Sequence, residues 1–134
     1  MVILFDQFNL PEDIFEIIFA TNQQIIVAKL LINNIKSKGG EVGKTEMSNF
    51  ATKLHEGKLP NILENDPSEK HENTISYNKR QFYDRILTPM KSMGLIDYDL
   101  YKKTYKLSDR FNKAVIKIGV MWLHELRKPY KSPS

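Results

Sequence analysis

Most of the chain carries apolar residues at the three-to-four-residue spacing of a helix, and one stretch near residue 100 switches to the two-residue alternation of strands. Pro11 followed by Glu12 and Asp13 predicts a helix start, because proline suits the first turn and acids favour the positive end of the helix dipole. Ile14, Phe15, Ile17, Ile18 and Phe19 supply its apolar face, giving a first helix over 11–20. A second helix is predicted from Gln23 to Ser37. Ile25, Ala28, Ile32 and Ile35 share one face, and Ile26, Val27, Leu30 and Leu31 cover much of the rest. The β-branched residues also permit a strand, but the length favours a helix, and one apolar nearly all round is expected to be central and buried. Gly39-Gly40 ends it.

Glu41 to Lys44 reads as a short link or a small strand. Thr45 then offers a cap for a helix over about 46–56 with Met47, Phe50, Ala51 and Leu54 on its inner face. Residues 58–75 are the least helical part. Pro60, Asn65-Asp66-Pro67 and Asn73 mark turns, the stretch is acidic, and it reads as a mobile loop insertion in which Leu59, Ile62 and Leu63 could form one anchoring turn. Ser76 can cap the next helix, 77–93, whose inner face is Phe82, Tyr83, Ile86, Leu87, Met90 and Met93. Pro89 removes one backbone bond there and predicts a kink. After Gly94, Leu95–Tyr98 and Thr104–Leu107 alternate as two strands joined by a basic turn, a hairpin spanning 95–107. Ser108 and Asp109 open a final helix over 109–127. Residues 1–9 read as an arm, 10–128 as one domain and 129–134 as a tail.

The predicted class is therefore mainly α with a small β-hairpin, an extra N-terminal helix and a long C-terminal helix. At 134 residues with 41% apolar content the chain suits one compact domain. It has no cysteine, which removes disulfides, thiolate metal sites and cysteine nucleophiles together. His55, His71 and His124 are scattered, and neither His71-Glu72 nor His124-Glu125 extends to H-E-x-x-H, so no metal site or other cofactor is expected. Gly39 to Thr45 superficially resembles a phosphate loop, but Lys38 stands where its first glycine should be. No glycine elbow surrounds a serine, and no paired carboxylates fall on a rigid element; an enzyme is not expected. The apolar start Met1-Val2-Ile3-Leu4-Phe5 lacks a basic leader and a small-residue cleavage site, and no run approaches membrane-spanning length, so the expectation is a cytoplasmic protein without a membrane partner.

Net charge is +4, and its distribution says more than its size. Residues 1–40 carry three basic and four acidic side chains, 41–75 four and seven, and 76–134 thirteen and five, so the C-terminal half alone has a net +8. A chain divided this way can present one basic face to a polyanion, or simply a lysine-rich solvated surface.

The order helix, helix, link, helix, helix, hairpin, long helix resembles the winged helix-turn-helix superfamily, especially small prokaryotic and archaeal transcription regulators. The likeness spans about residues 23–127. Arg80-Gln81-Phe82-Tyr83-Asp84-Arg85-Ile86-Leu87 running into Met93-Gly94-Leu95-Ile96 looks like a recognition helix entering the wing. Thr104-Tyr105-Lys106-Leu107-Ser108 looks like the second wing strand entering the last helix.

The resemblance implies a DNA-binding protein that reads the major groove of double-stranded DNA with one helix and touches the backbone with the wing. Tyr77, Gln81, Asp84, Arg85, Thr88 and Ser92 are the expected outward positions, with Asn78, Lys79 and Arg80 at the N-terminal end where groove-reading helices make contact. Tyr101, Lys102 and Lys103 at the hairpin tip, extended by Lys106 and Arg110, are the expected phosphate contacts. A winged-helix module that binds protein within a replication, repair or transcription assembly is the alternative, since a fold does not by itself fix a partner.

The last helix has more apolar surface than one core contact needs. Either it packs wholly against the first helix, or a homodimer buries the excess through Phe111, Val115, Ile118, Trp122 and Leu126, with Trp122 as anchor.

Overall fold

The computed structural model describes residues 5–57, 59–60, 74–75 and 77–133. It is mainly helical with a small three-stranded antiparallel sheet. The first helix, α1, runs only over Ile14–Ile18 and not over the predicted 11–20. Asp13 is the reason: its carboxylate accepts the Phe15 N–H at 2.9 Å, so the cap falls there and leaves Pro11 and Glu12 outside. The same carboxylate pairs with Lys29 on the next helix. Phe19 ends α1 in extended backbone and is buried.

Helix α2, Asn22–Ser37, opens on a reciprocal cap between Thr21 and Gln24. Val27, Ala28, Leu31 and Ile35 are wholly buried, so this is the central helix its pattern predicts. Gly39 and Gly40 end it with φ of 83° and 93°, and the Gly40 N–H returns to the Ile35 carbonyl at 2.9 Å.

The chain then forms strand β1, Glu41–Gly43, and helix α3, Lys44–His55. Thr45 is inside α3 and is not its cap; Gly43 holds that position, with its N–H donated to the Glu46 carboxylate at 3.4 Å. Met47, Phe50, Ala51 and Leu54 face inward. Strands β2, Leu59–Pro60, and β3, Thr74–Ile75, pair antiparallel and so close the base of the predicted acidic loop. Ile62 and Leu63 of the predicted anchoring turn, and the Ser76 cap, lie outside the described residues.

A continuous helical rod follows over 79–92. It begins as α4, Lys79–Phe82, capped by Asn78, widens into a π-helical turn over Tyr83–Leu87, and ends as α5, Thr88–Ser92. The widening sits immediately before Pro89. Proline has no N–H, and in a regular helix its ring would strike the carbonyl of Arg85; the wider turn, with Thr88 N–H reaching back to Tyr83, accommodates it. Phe82, Ile86, Leu87 and Met90 are the rod's buried side, and Phe82 meets the Phe50 ring of α3 at 5.4 Å.

Strands β4, Ile96–Asp99, and β5, Thr104–Leu107, make the predicted hairpin, and β1 adds to its outer edge to give the order β1-β5-β4. The register sets Val42 beside Tyr105 and Tyr105 beside Tyr98. Helix α6, Arg110–Arg127, leaves this sheet tied at its first turn, where Phe111 N–H donates to the Gly94 carbonyl at 3.1 Å. None of its eighteen residues is buried. The reading in which it packs wholly against α1 therefore fails: between α1 and the N-terminal half of α6 lies an open apolar groove of about 470 Å³, walled by Ile14, Ile17, Ile18, Phe111, Val115 and Ile118. Among the described residues no helix is long and apolar enough to cross a membrane.

Candidate nucleic-acid interface

The rod 79–92 is amphipathic in the sense a groove-reading helix requires. Its inner side is held by the core, and Asn78, Lys79, Arg80, Asp84, Arg85, Thr88, Lys91 and Ser92 are exposed, with Gln81 half-buried. Tyr77 departs from the expectation. It is only 4% exposed, because it precedes the rod and its N–H donates to the Leu54 carbonyl at 3.1 Å, which turns it into the core between α3 and α4. Helical spacing counted back from Gln81 does not apply to a residue outside the helix.

Two of the exposed groups are already engaged. The Asn78 side-chain oxygen caps the rod by accepting the Arg80 N–H at 2.8 Å, so a two-point contact to adenine would cost the cap. Arg80 lies 3.7 Å from Asp84 one turn on, both largely exposed, a pairing too weak to hold the guanidinium back from a phosphate. Lys79 and Arg85 have no ion-pair partner among the described residues, and the basic groups outnumber the single acid along this face.

Lys91 was not among the expected contacts. It is exposed three residues beyond Thr88 and seven beyond Asp84, on the flank of the same outward face. Its ammonium sits 5.9 Å from the ring centroids of both Tyr98 and Tyr105, and those rings meet at a 49° tilt with centroids 4.6 Å apart. The end of the rod thus rests against one face of the hairpin. Burial pushes the Tyr105 hydroxyl above its ordinary pKa, and the neighbouring Tyr83 and Tyr98 push it in the same direction.

The hairpin tip is built by Asp99. Its Oδ1 accepts the N–H groups of Tyr101 at 2.9 Å and Lys102 at 3.1 Å, folding the turn back on itself. The Lys102 N–H, then the Tyr101 N–H, hold the Asp99 carboxyl below its ordinary pKa, with the charges of Lys102 and Lys106 adding to the effect. Lys103 follows in the left-handed region at φ 57° and passes its carbonyl to the Lys44 N–H at 3.0 Å, anchoring the tip to the start of α3. Tyr101 is 98% exposed, and Lys102 and Lys103 are exposed beside it.

Lys106 and Arg110 do not join this set. Alternation along β5 puts Lys106 on the face opposite Tyr105, in a row between Glu41 on β1 and Asp97 on β4. Arg110 lies 3.6 Å from the same Asp97. The two cations therefore face two carboxylates on the side of the sheet turned away from Lys91. Local sequence pattern could not show this, because the Glu41–Lys106 pairing joins residues sixty-five positions apart. The structure brings together Asn78, Lys79, Arg80, Arg85, Thr88 and Lys91 along the rod, and Tyr101, Lys102 and Lys103 at the tip. The five residues expected to pair two chains, Phe111, Val115, Ile118, Trp122 and Leu126, all lie on α6 and are exposed except for the intermediate Phe111. Comparison with protein-family models, with curated proteins and with solved structures finds no match.

Proposed function

We propose that the chain is a DNA-binding protein of the winged helix-turn-helix kind, a transcription regulator that lays the rod 79–92 in the major groove and sets the β4–β5 tip on the backbone. The observation that carries this reading is the rod itself: one side is fixed in the core by Phe82, Ile86, Leu87 and Met90, and the other presents Lys79, Arg80, Arg85 and Lys91 to solvent. A rigid basic helix beside an exposed basic turn matches a duplex, where phosphate contacts supply affinity and base-edge contacts supply choice. Arg85 and Gln81 are the residues with the chemistry to read base edges; Lys79, Arg80, Lys91, Lys102 and Lys103 neutralise phosphates.

Titration of duplex DNA at several salt concentrations tests it. Binding should weaken steeply with salt, and Lys102→Ala/Lys103→Ala should lower the slope of log K against log salt by about 2, since each neutralised phosphate contributes about 0.9. Arg85→Ala should cost about 1–3 kcal/mol on the preferred sequence and much less on random duplex. A wild-type protein that leaves duplex DNA unbound at low salt overturns the reading.

A further inference from the structure

We infer that α6 pairs antiparallel with α6 of a second copy about a two-fold axis between Ile118 and Gly119, each helix seating its C-terminal half in the other copy's α1–α6 groove. Three observations meet here, and none depends on the DNA reading. The first is the exposure of one stripe of α6: Val115 is 46% exposed, Ile118 49%, Trp122 62% and Leu126 62%, on a helix with no buried residue. A contiguous apolar surface of this kind on a soluble domain marks a contact.

The second is Gly119. It lies in the middle of the eighteen-residue helix, where glycine is a poorer helix former than almost any other residue. A Cβ built there would meet nothing within 4 Å, so no contact inside the chain requires the glycine. A close crossing by a second helix does require it, because only glycine lets the backbones approach.

The third is that groove and ridge lie on one stripe of the same helix. Phe111, Val115 and Ile118 wall the groove of about 470 Å³, while Trp122 and Leu126 continue the same stripe beyond it with nothing opposite them. The groove falls in the size range of sites that enclose bulky apolar bodies, roughly 300–1,000 Å³. Full-length antiparallel overlap of Arg110–Arg127 on itself sets Phe111 against Leu126 of the second copy, Val115 against its Trp122, and Ile118 against its Gly119. Every apolar projection then meets a recess, and the surface is self-complementary as a two-fold interface must be. Antiparallel order is required because the groove lies along the N-terminal half of the stripe and the uncovered Trp122 and Leu126 along its C-terminal half. A helix of this length rises about 27 Å, enough with α1 to form an interface of about 800 Å² per partner.

Sedimentation equilibrium of the full chain at roughly 10–100 µM, the range in which an interface of this size is occupied, should give twice the 15.6 kDa chain mass. Gly119→Leu should return the mass to that of one chain at the same concentrations, with an unchanged or stronger helical circular dichroism signal, because the leucine meets nothing in the monomer and favours the helix. Orientation is read by cross-linking, which the absence of native cysteine makes clean. Under mild oxidation Ile118→Cys should link to itself across the axis, and Leu126→Cys should not. A single-chain mass for the wild type, a dimer that survives Gly119→Leu, or self-linking of Leu126→Cys overturns the proposal. The DNA titration on the monomeric Gly119→Leu variant reads the other hypothesis separately.

Discussion

The rod 79–92 and helix α6 carry comparable amphipathic patterns, and the fold uses them in opposite ways. On the rod, Phe82, Ile86 and Met90 are wholly buried against α2, α3 and the sheet, so its apolar side is spent on the core and its polar side is left to solvent. On α6 no residue is buried, and the apolar stripe itself is what faces outward. Periodicity tells which side of a helix is apolar but not whether the covering surface belongs to the same chain. For α6 the chain offers only part of a cover, the groove beside α1.

The largest effect that follows is a contrast in stability. Phe82→Ala removes a fully buried ring packed 5.4 Å from both Phe50 and Tyr83, and should cost about 3–5 kcal/mol. Trp122→Ala removes a larger ring from a 62% exposed position, and at concentrations low enough to keep chains separate it should change stability by less than about 0.5 kcal/mol. Urea unfolding followed by circular dichroism at low protein concentration measures both. If the two substitutions destabilise equally, α6 is packed within its own chain and the contrast collapses.

The junction between the two helices sharpens the comparison. Gly94 closes the rod at φ 85°, and a Cβ there would lie 2.8 Å from the Phe111 backbone nitrogen. Glycine is needed twice over, for the left-handed conformation and for the approach of α6. Gly94→Ala should therefore cost about 1–3 kcal/mol from the strained backbone, and more if α6 cannot shift. Gly119→Ala on α6, with no such neighbour, should stabilise the separate chain by about 0.5–1 kcal/mol, so the same substitution takes opposite signs at two glycines twenty-five residues apart.

What could be read from the sequence follows the same division. Local rules sufficed where local interactions decide: Phe82, Ile86, Leu87 and Met90 fall inward as their spacing requires, Gly39-Gly40 stops α2, and Asp99 and Thr104 bracket the hairpin. The misplacements arise where a distant partner decides. Tyr77 turns inward because Leu54 takes its N–H, and α1 is short because Asp13 is held between Phe15 and Lys29. Lys106 faces Glu41, sixty-five residues away, through a strand pairing no local pattern contains. Lys91 meets the Tyr98 and Tyr105 rings of the hairpin, a contact between elements that the helix pattern alone does not contain. Which residues of the candidate face reach solvent was thus legible where helix and turn chemistry are local, and the directions of Tyr77, Lys106 and Arg110 were not, being set by contacts across the fold.

The smallest expected effect concerns the hairpin tip, where pH separates the turn from the rod. Asp99 is half-buried, and its carboxyl is held below its ordinary pKa by the Lys102 and Tyr101 N–H groups, so the folded turn favours the charged form. The sign follows from linkage: a carboxyl with a lower pKa folded than unfolded adds stability above the unfolded value of about 3.9, and that stability fades as pH falls through the lowered folded value. Order at the tip should therefore be constant from neutral pH down to roughly pH 5 and decline only below about pH 4, where Asp99 begins to bind a proton. Amide exchange at Tyr101 and Lys102, followed against pH after removing the intrinsic pH dependence, reports it. Asp99→Asn should abolish the acid-dependent step while leaving the amides of the rod at Ile86 and Leu87 unaffected. Should those rod amides lose protection together with the tip, the hairpin and the rod would open as one unit, and the two could not be separated by mutation.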